Sequence, residues 1–266
     1  MMNTNHNEQS NTWSAAQYTK FEKERNRPIL DLLMHIPADR TVKNAIDIGC
    51  GPGNSTELLQ ARFPEANVSG IDSSPDMISA AKKRMPSHHF EVADISGWQD
   101  EKKYDIILSN AALQWVPNHE SLFPALIDKL NVGGTLAVQM PDNWNEPAQK
   151  LMRAVAANGP WANQLTDAPK RVAREEAGWY YQFLRDKVET LDIWRTTYFH
   201  PLSGGAEAIV EWFKGTGLRP YIDALHPDEQ KEYLARLTGE IAKAYQIYDD
   251  GTVLLPFPRL FIICTR

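Results

Sequence analysis

The chain has 266 residues, enough for one large doubly layered core with elaborations or for two small ones. Hydrophobic residues make up 42% and charged residues 23%, and no apolar run reaches the roughly 18 residues that a bilayer crossing needs, which argues against a membrane-spanning helix. With 28 basic against 34 acidic residues the net charge is −6, a balance that disfavours a nucleic-acid backbone as the main partner. Cys50 and Cys264 form no C-x-x-C pair and the seven histidines show no metal-ligand spacing, so neither a disulfide scaffold nor a metal site is expected. The polar start, MMNTNHNEQSN, reads as a frayed end and not as a signal peptide, so a cytoplasmic protein without a membrane partner is expected.

In chain order, residues 1–40 are expected to form a helical cap, with a helix over 13–33. Residues 41–142 then alternate short apolar runs with amphipathic stretches, the pattern of a parallel sheet covered by helices. Strands are expected at 44–49, 67–71, 89–93, 104–109 and 135–140. Ser55 and Thr56 are placed to cap a helix that buries Leu58, Leu59 and Phe63, and Ser74-Pro75-Asp76 opens another with Met77, Ile78, Ala81 and Met85 inward. A third helix, about 119–130, turns Leu122, Phe123, Leu126, Ile127 and Leu130 to the core before Gly133-Gly134. Residues 143–187 read as a helical insertion, and 188–200 and 259–266 as the last two strands of the sheet. Between them, 201–258 reads as a helical lid, with helices at about 206–215 and 227–248.

The most informative stretch is Asp47-Ile48-Gly49-Cys50-Gly51-Pro52-Gly53-Asn54-Ser55, where the first strand hands over to the first core helix. Glycines there let the backbone approach a ligand, and the helix start offers unpaired N–H groups. The third glycine comes one residue too early for the dinucleotide fingerprint, which disfavours NAD, and there is no G-K-[ST] of a phosphate loop. Asp72, at the end of the second strand, is placed to accept both hydrogens of a ribose diol.

Four ordered stretches, Asp-Ile-Gly-Cys-Gly-Pro-Gly, Gly-Ile-Asp-Ser-Ser-Pro-Asp-Met, Ala-Asp-Ile and Leu-Ser-Asn-Ala-Ala-Leu-Gln-Trp, resemble the class I S-adenosylmethionine-dependent methyltransferases over residues 44–140. The resemblance implies an α/β fold: a doubly wound, mostly parallel, Rossmann-like sheet of seven strands, its last strand antiparallel, with helical lids. It implies S-adenosylmethionine as cofactor, held by Gly49, Cys50, Gly51, Gly53 and Asn54 in the loop, Asp72 and Ser73 at the ribose, Asp94 and Ile95 at the adenine, and Asn110 and Ala111 at the amino-acid end, with Met77 as a further cofactor contact. For Asp94 a plain capping role stays open.

The cofactor motifs leave the acceptor open. Both insertions leave from the carboxyl edge of the sheet and overhang the cofactor. Tyr18, Arg25 and Arg27 in the cap, Gln139 and Trp144 after the fifth strand, Arg195, Tyr198 and His200 on the sixth, Trp212 and Arg219 in the lid and Arg259 before the seventh are the candidates to surround a compact anion. Arginine forks suit carboxylates because two N–H groups meet two oxygens in one plane. The stretches Ala-Val-Gln-Met-Pro-Asp-Asn-Trp, Asp-Ile-Trp-Arg-Thr-Thr-Tyr, Thr-Gly-Leu-Arg-Pro and Phe-Pro-Arg-Leu-Phe-Ile, with Arg25-Asn26-Arg27-Pro28, are similar to the trans-aconitate 2-methyltransferases. That narrower resemblance implies methyl transfer to a carboxylate of a small polycarboxylic acid, giving a monomethyl ester and S-adenosylhomocysteine. A carboxylate is already ionised at neutral pH, so no catalytic base is expected. Two alternatives stay open: a neutral apolar acceptor, with His200 as base if a hydroxyl is methylated, and a non-catalytic cofactor-binding module.

Overall fold

In the computed structural model, which describes residues 22–37, 40–166, 168 and 175–266, the apolar runs pair into one sheet. Its strands are β1 (Asn44–Ile48), β2 (Asn67–Asp72), β3 (His89–Val92), β4 (Tyr104–Asn110), β5 (Leu130–Pro141), β6 (Thr190–Ser203) and β7 (Thr252–Thr265). They lie in the order β3-β2-β1-β4-β5-β7-β6; β1 to β5 run parallel, and β7 is antiparallel to both its neighbours. The chain steps outward from β1 to β3 and returns to β4 beside β1. The crevice where the strand order reverses therefore opens at the carboxyl ends of β1 and β4.

The helices are α1 (Glu22–Met34), α2 (Asn54–Arg62), α3 (Pro75–Arg84), α4 (His119–Asp128), α5 (Pro147–Ala157), α6 (Ala177–Leu184), α7 (Gly205–Lys214), α8 (Arg219–Ile222) and α9 (Pro227–Ala244). The expected inward face of α3 is buried through its C-cap Met85; that of α4 is buried through Ile127, and Leu130, expected on the same helix, is buried as the first residue of β5. Ser74 caps α3, its Oγ accepting from Met77 N at 3.4 Å, and Pro75 follows at the first helical position, where a missing N–H costs nothing. No helix among the described residues is long and apolar enough to cross a membrane.

Ser55 and Thr56 do something other than cap α2. Gly53, at φ 89°, precedes the helix, and both hydroxyls donate to Asp47 Oδ2, at 2.6 and 2.8 Å. The helix start is thus tied to the end of β1 from beneath, through a carboxylate that has no solvent exposure.

The last two strands are longer than expected. β6 runs on through Ser203 and β7 begins at Thr252, so 201–203 and 252–258 belong to a hairpin of fourteen registered pairs and not to the helical lid. Pro256 and Pro258 sit inside β7, but the β5 register ends opposite Arg259, so a missing N–H at these two positions costs no bond toward β5. The protruding hairpin carries its own core, where Leu202, Val253, Leu255 and Phe257 pack with Met152, Trp161, Trp212, Phe213, Tyr233 and Leu237. α5, α7 and α9 are thereby gathered around one end of the sheet.

On the face below, α1 buries Ile29, Leu32 and Leu33 against Ala45, Leu59, Ile106 and Phe261. Tyr198 of β6 donates its hydroxyl to Asp31 at 2.5 Å, and His35 stacks on Trp194 at 4.3 Å. These contacts fix the register of α1 and carry its arginines to the carboxyl edge of the sheet.

Candidate active site

Two adjoining cavities open at that edge. The larger, about 190 Å³, collects residues from the ends of four successive strands: Gly49 and Gly51 after β1, Asp72 and Ser73 after β2, Asp94 and Ile95 after β3, and Asn110 and Ala111 after β4, with Met77 from α3. Gly51 has φ +55°, and a Cβ built there meets nothing within 4 Å, which leaves the backbone open to a ligand. Gly49 is glycine for the opposite reason, since a Cβ there would fall 2.2 Å from that of Ala112. Asp72 accepts from Gly51 N and from Ser74 N, both at 2.9 Å, one on each oxygen, so each oxygen keeps a lone pair. Burial raises the proton affinity of this carboxyl. Asp94 does cap a short helical turn, accepting from Ser96 N at 3.0 Å and Ser96 Oγ at 2.7 Å, and it lines the cavity as well.

Three of the residues expected around the cofactor do not line the cavity. Cys50 is buried with Ile78, Ala81, Met85 and Phe90 behind the loop, and Gly53 abuts the backbone of Ala81, where a Cβ would come within 3.2 Å. Asn54 donates its amide to Asn26 Oδ1 at 2.7 Å, tying the loop to α1. Sequence reasoning missed Ala112, Trp115 and Val116, which complete the wall. They follow Ala111, whose φ of 53° turns the chain sharply out of β4, and a strained alanine carries no sequence signal of that kind.

The second cavity, about 70 Å³, shares Asn110, Ala111 and Trp115 with the first. Arg25, Arg259, Trp212 and Phe257 line it together with Gln114, Asn143, Gln149, Thr216 and Gly217; Asn143 stands at the root of the first insertion, where acceptor residues are expected, whereas Gln114, Gln149, Thr216 and Gly217 were missed as site residues. Arg259, 4% exposed, donates from Nη1 to Gln139 Oε1 at 3.0 Å and lies 4.8 Å from the Phe257 ring. Arg25, 6% exposed, lies over Trp212. Arg27 stands over the Tyr198 ring at 5.3 Å. Gln139 and Tyr198 therefore act from behind, holding arginines, and do not line the cavity themselves.

His200, also buried, stacks on Trp212 with ring centroids 4.5 Å apart. Burial, followed by the charges of Arg259, Arg27 and Arg25, pushes its imidazole down to about 4. The ring is neutral at pH 7 and reports a cluster of positive charge around it. Asn110 Oδ1, where the cavities meet, and Gln114 Oε1, in the second cavity, are buried without partners among the described residues. Such groups are costly unless a ligand meets them.

The remaining expected acceptor residues lie elsewhere. Arg195 is on the opposite face of β6 from Tyr198 and His200, half-exposed and paired with Asp142 at 2.8 Å. Trp144 is covered by the Arg153 guanidinium at 4.0 Å, and Arg219, at the start of α8, pairs with Asp223 just past its end. Tyr18 falls outside the described residues.

The profile of the methyltransferase domain family matches residues 20–219. The trans-aconitate 2-methyltransferase of Rhodopseudomonas palustris strain BisB18 is 50% identical over 255 residues, covering 96% of this chain and 99% of that one. That of Sinorhizobium fredii is 48% identical over 256 residues, with 96% and 99% covered. Among solved structures, phosphoethanolamine N-methyltransferase 2 of Haemonchus contortus superposes with a TM-score of 0.55 at 15% identity, covering 90% of this chain and 52% of that one. The YcgJ protein of Bacillus subtilis gives 0.59 at 13% identity, covering 91% and 98%; at such identities the likeness speaks for the fold alone. A glycine loop open to a cavity, an acid at the end of β2 and relatives at about half identity over nearly full length place this chain in the trans-aconitate 2-methyltransferase family of S-adenosylmethionine-dependent methyltransferases.

Proposed function

We propose that the protein transfers a methyl group from S-adenosylmethionine to a carboxylate of trans-aconitate, the acceptor in its relatives' names, giving a monomethyl ester and S-adenosylhomocysteine. The observation that carries this reading is the pair of buried arginines, Arg25 and Arg259, lining a second cavity that shares Asn110, Ala111 and Trp115 with the cofactor cavity. A polyanion enters a dry site only where fixed positive charge meets it; Arg25 and Arg259 line the cavity and supply that charge, with Arg27 behind them over Tyr198.

The residues of the larger cavity fit the cofactor. Asp72 offers its remaining lone pairs to the ribose hydroxyls, Ile95 gives the adenine an apolar surface, and Gly51 leaves room at the backbone. When bound, S-adenosylmethionine supplies an electrophilic methyl on a sulfonium. The protein's share is positioning and the exclusion of water, which together are worth effective molarities on the order of 10⁵ M. Arg25 and Arg259 orient the carboxylate, Gln139 holds the Arg259 fork in place, and Trp115, Trp212 and Phe257 keep the cavity dry.

No side chain has to remove a proton, because a carboxylate nucleophile is already ionised. A hydroxyl acceptor would need a base, and His200 at about 4 is too weak a base to serve well near neutral pH. The test is a panel of small acids, alcohols and phenols incubated with labelled S-adenosylmethionine. The expected ranking by kcat/KM puts trans-aconitate first, dicarboxylates lower, and neutral acceptors at background. A neutral acceptor turned over faster than any acid would overturn the reading.

A further inference from the structure

We infer that His200 takes up a proton when the acceptor enters, so that the polyanion binds together with one hydrogen ion; the inference rests on the carboxylate reading above. The ring is 5% exposed, and its Nε2 is buried without a hydrogen-bond partner among the described residues. It stacks on Trp212, which lines the acceptor cavity, and Phe257 and Tyr198 flank it at centroid distances of 5.9 and 6.4 Å. Among the described residues, the charged and titratable groups around it are Arg25, Arg27 and, through Tyr198, Asp31 from α1; Tyr198 itself from β6; and Arg259 from β7. From α7 the ring meets the uncharged Trp212.

The ring is neutral in the free protein because it is buried among guanidinium groups. A tricarboxylate brings about as much negative charge as those arginines carry positive charge, which cancels the repulsion that keeps the proton away. The proton affinity of the imidazole then rises by the share that the arginine charges held down, while burial, the larger cause, keeps it below the ordinary histidine value of about 6.5. The proton comes from solvent on binding. It returns to solvent when the ester, with one negative charge fewer, leaves. Methyl transfer itself neither consumes nor releases a proton at this residue. His200 thereby matches the charge of the site to that of the fully ionised acid.

The experiment is calorimetric titration of trans-aconitate into the protein saturated with S-adenosylhomocysteine, at pH 6.0, in buffers of different ionisation enthalpy. The expected result is a net proton uptake, above zero and below one per acceptor bound, and a Kd that weakens as pH rises from 5.5 to 7.5. His200→Phe, which keeps the stack on Trp212, and His200→Gln should bind with no uptake at pH 6.0. Zero uptake by the unmodified protein, a Kd independent of pH, or equal uptake in His200→Phe overturns the inference and leaves the carboxylate reading standing. The Kd profile of the unmodified protein decides the matter alone should both variants fail to fold. Absence of any trans-aconitate binding between pH 5.5 and 7.5 strikes the acceptor reading itself, and the inference falls with it.

Discussion

Asp72 joins the strand-to-helix loop to the start of α3 through two backbone amides and faces the cofactor cavity with what remains of its lone pairs. Asp72→Ala should weaken S-adenosylhomocysteine binding by roughly 2 to 4 kcal/mol, about 30- to 1000-fold, as read by calorimetry. Unchanged affinity would remove it from the ribose role. The arginines divide by environment. Arg259→Met and Arg25→Met should each raise the acceptor KM at least about tenfold with cofactor affinity little changed, whereas Arg195→Met, at the exposed pair with Asp142, should leave KM within about threefold. An Arg195 variant as impaired as the Arg259 variant would place the acceptor elsewhere. Asp47 belongs to the fold. Burial raises its carboxyl to about 6, against the pull of Ser55 and Thr56, so the protonated form is favoured in the folded protein. Its contribution to stability is full below about pH 4 and is lost as pH rises through 6. In urea unfolding, the stability of the unmodified protein relative to Asp47→Asn should fall by up to about 3 kcal/mol between pH 4 and 7; a constant difference would show that Asp47 does not titrate there.

The elements differ in how clearly the sequence announces them. Glycine at 49, 51 and 53 and an acid at 72 mark the cofactor crevice because only a few residue types satisfy positive φ and a bare backbone there. The two loop glycines nearest the ligand are separable by experiment. Gly49→Ala drives a Cβ into Ala112 at a backbone angle alanine avoids, and should destabilise the fold by about 2 to 5 kcal/mol. Gly51→Ala meets open space, so it should shift Tm by only a few degrees while weakening cofactor binding at least about tenfold, because the added methyl stands in the cavity. Equal loss of stability in both would mean that Gly51 is there for the turn alone. The hairpin ends were not legible, since Pro256 and Pro258 read as breakers until the sheet shows that β5 has already ended beside them. Arg195 and Arg259 look alike in sequence. Alternation along β6 sends one to the outer face, while the other, on β7, turns into the acceptor cavity, and only the register between β5, β6 and β7 tells them apart.

At the scale of the molecule, a chain of net charge −6 concentrates buried arginines at one edge of its sheet, where the cap, the hairpin and the lid converge. Overall charge says nothing of that local pocket, which is assembled from residues as far apart as Arg25 and Arg259. Because the carboxylate is ionised and arginine stays protonated, the single-turnover rate should be flat from about pH 7.5 to 9, above the range in which His200 titrates. Single-turnover conditions matter because lid opening or product release, if slow, hides a proton dependence of the chemistry. The most direct test of the central claim is the chemical identity of the product formed from trans-aconitate and methyl-labelled S-adenosylmethionine. The account predicts a product heavier than the acid by one methyl group, whose label is released as methanol by mild alkali, as an ester requires. Label that survives alkali on an ether oxygen, nitrogen or carbon, or no transfer to trans-aconitate at all, would contradict it.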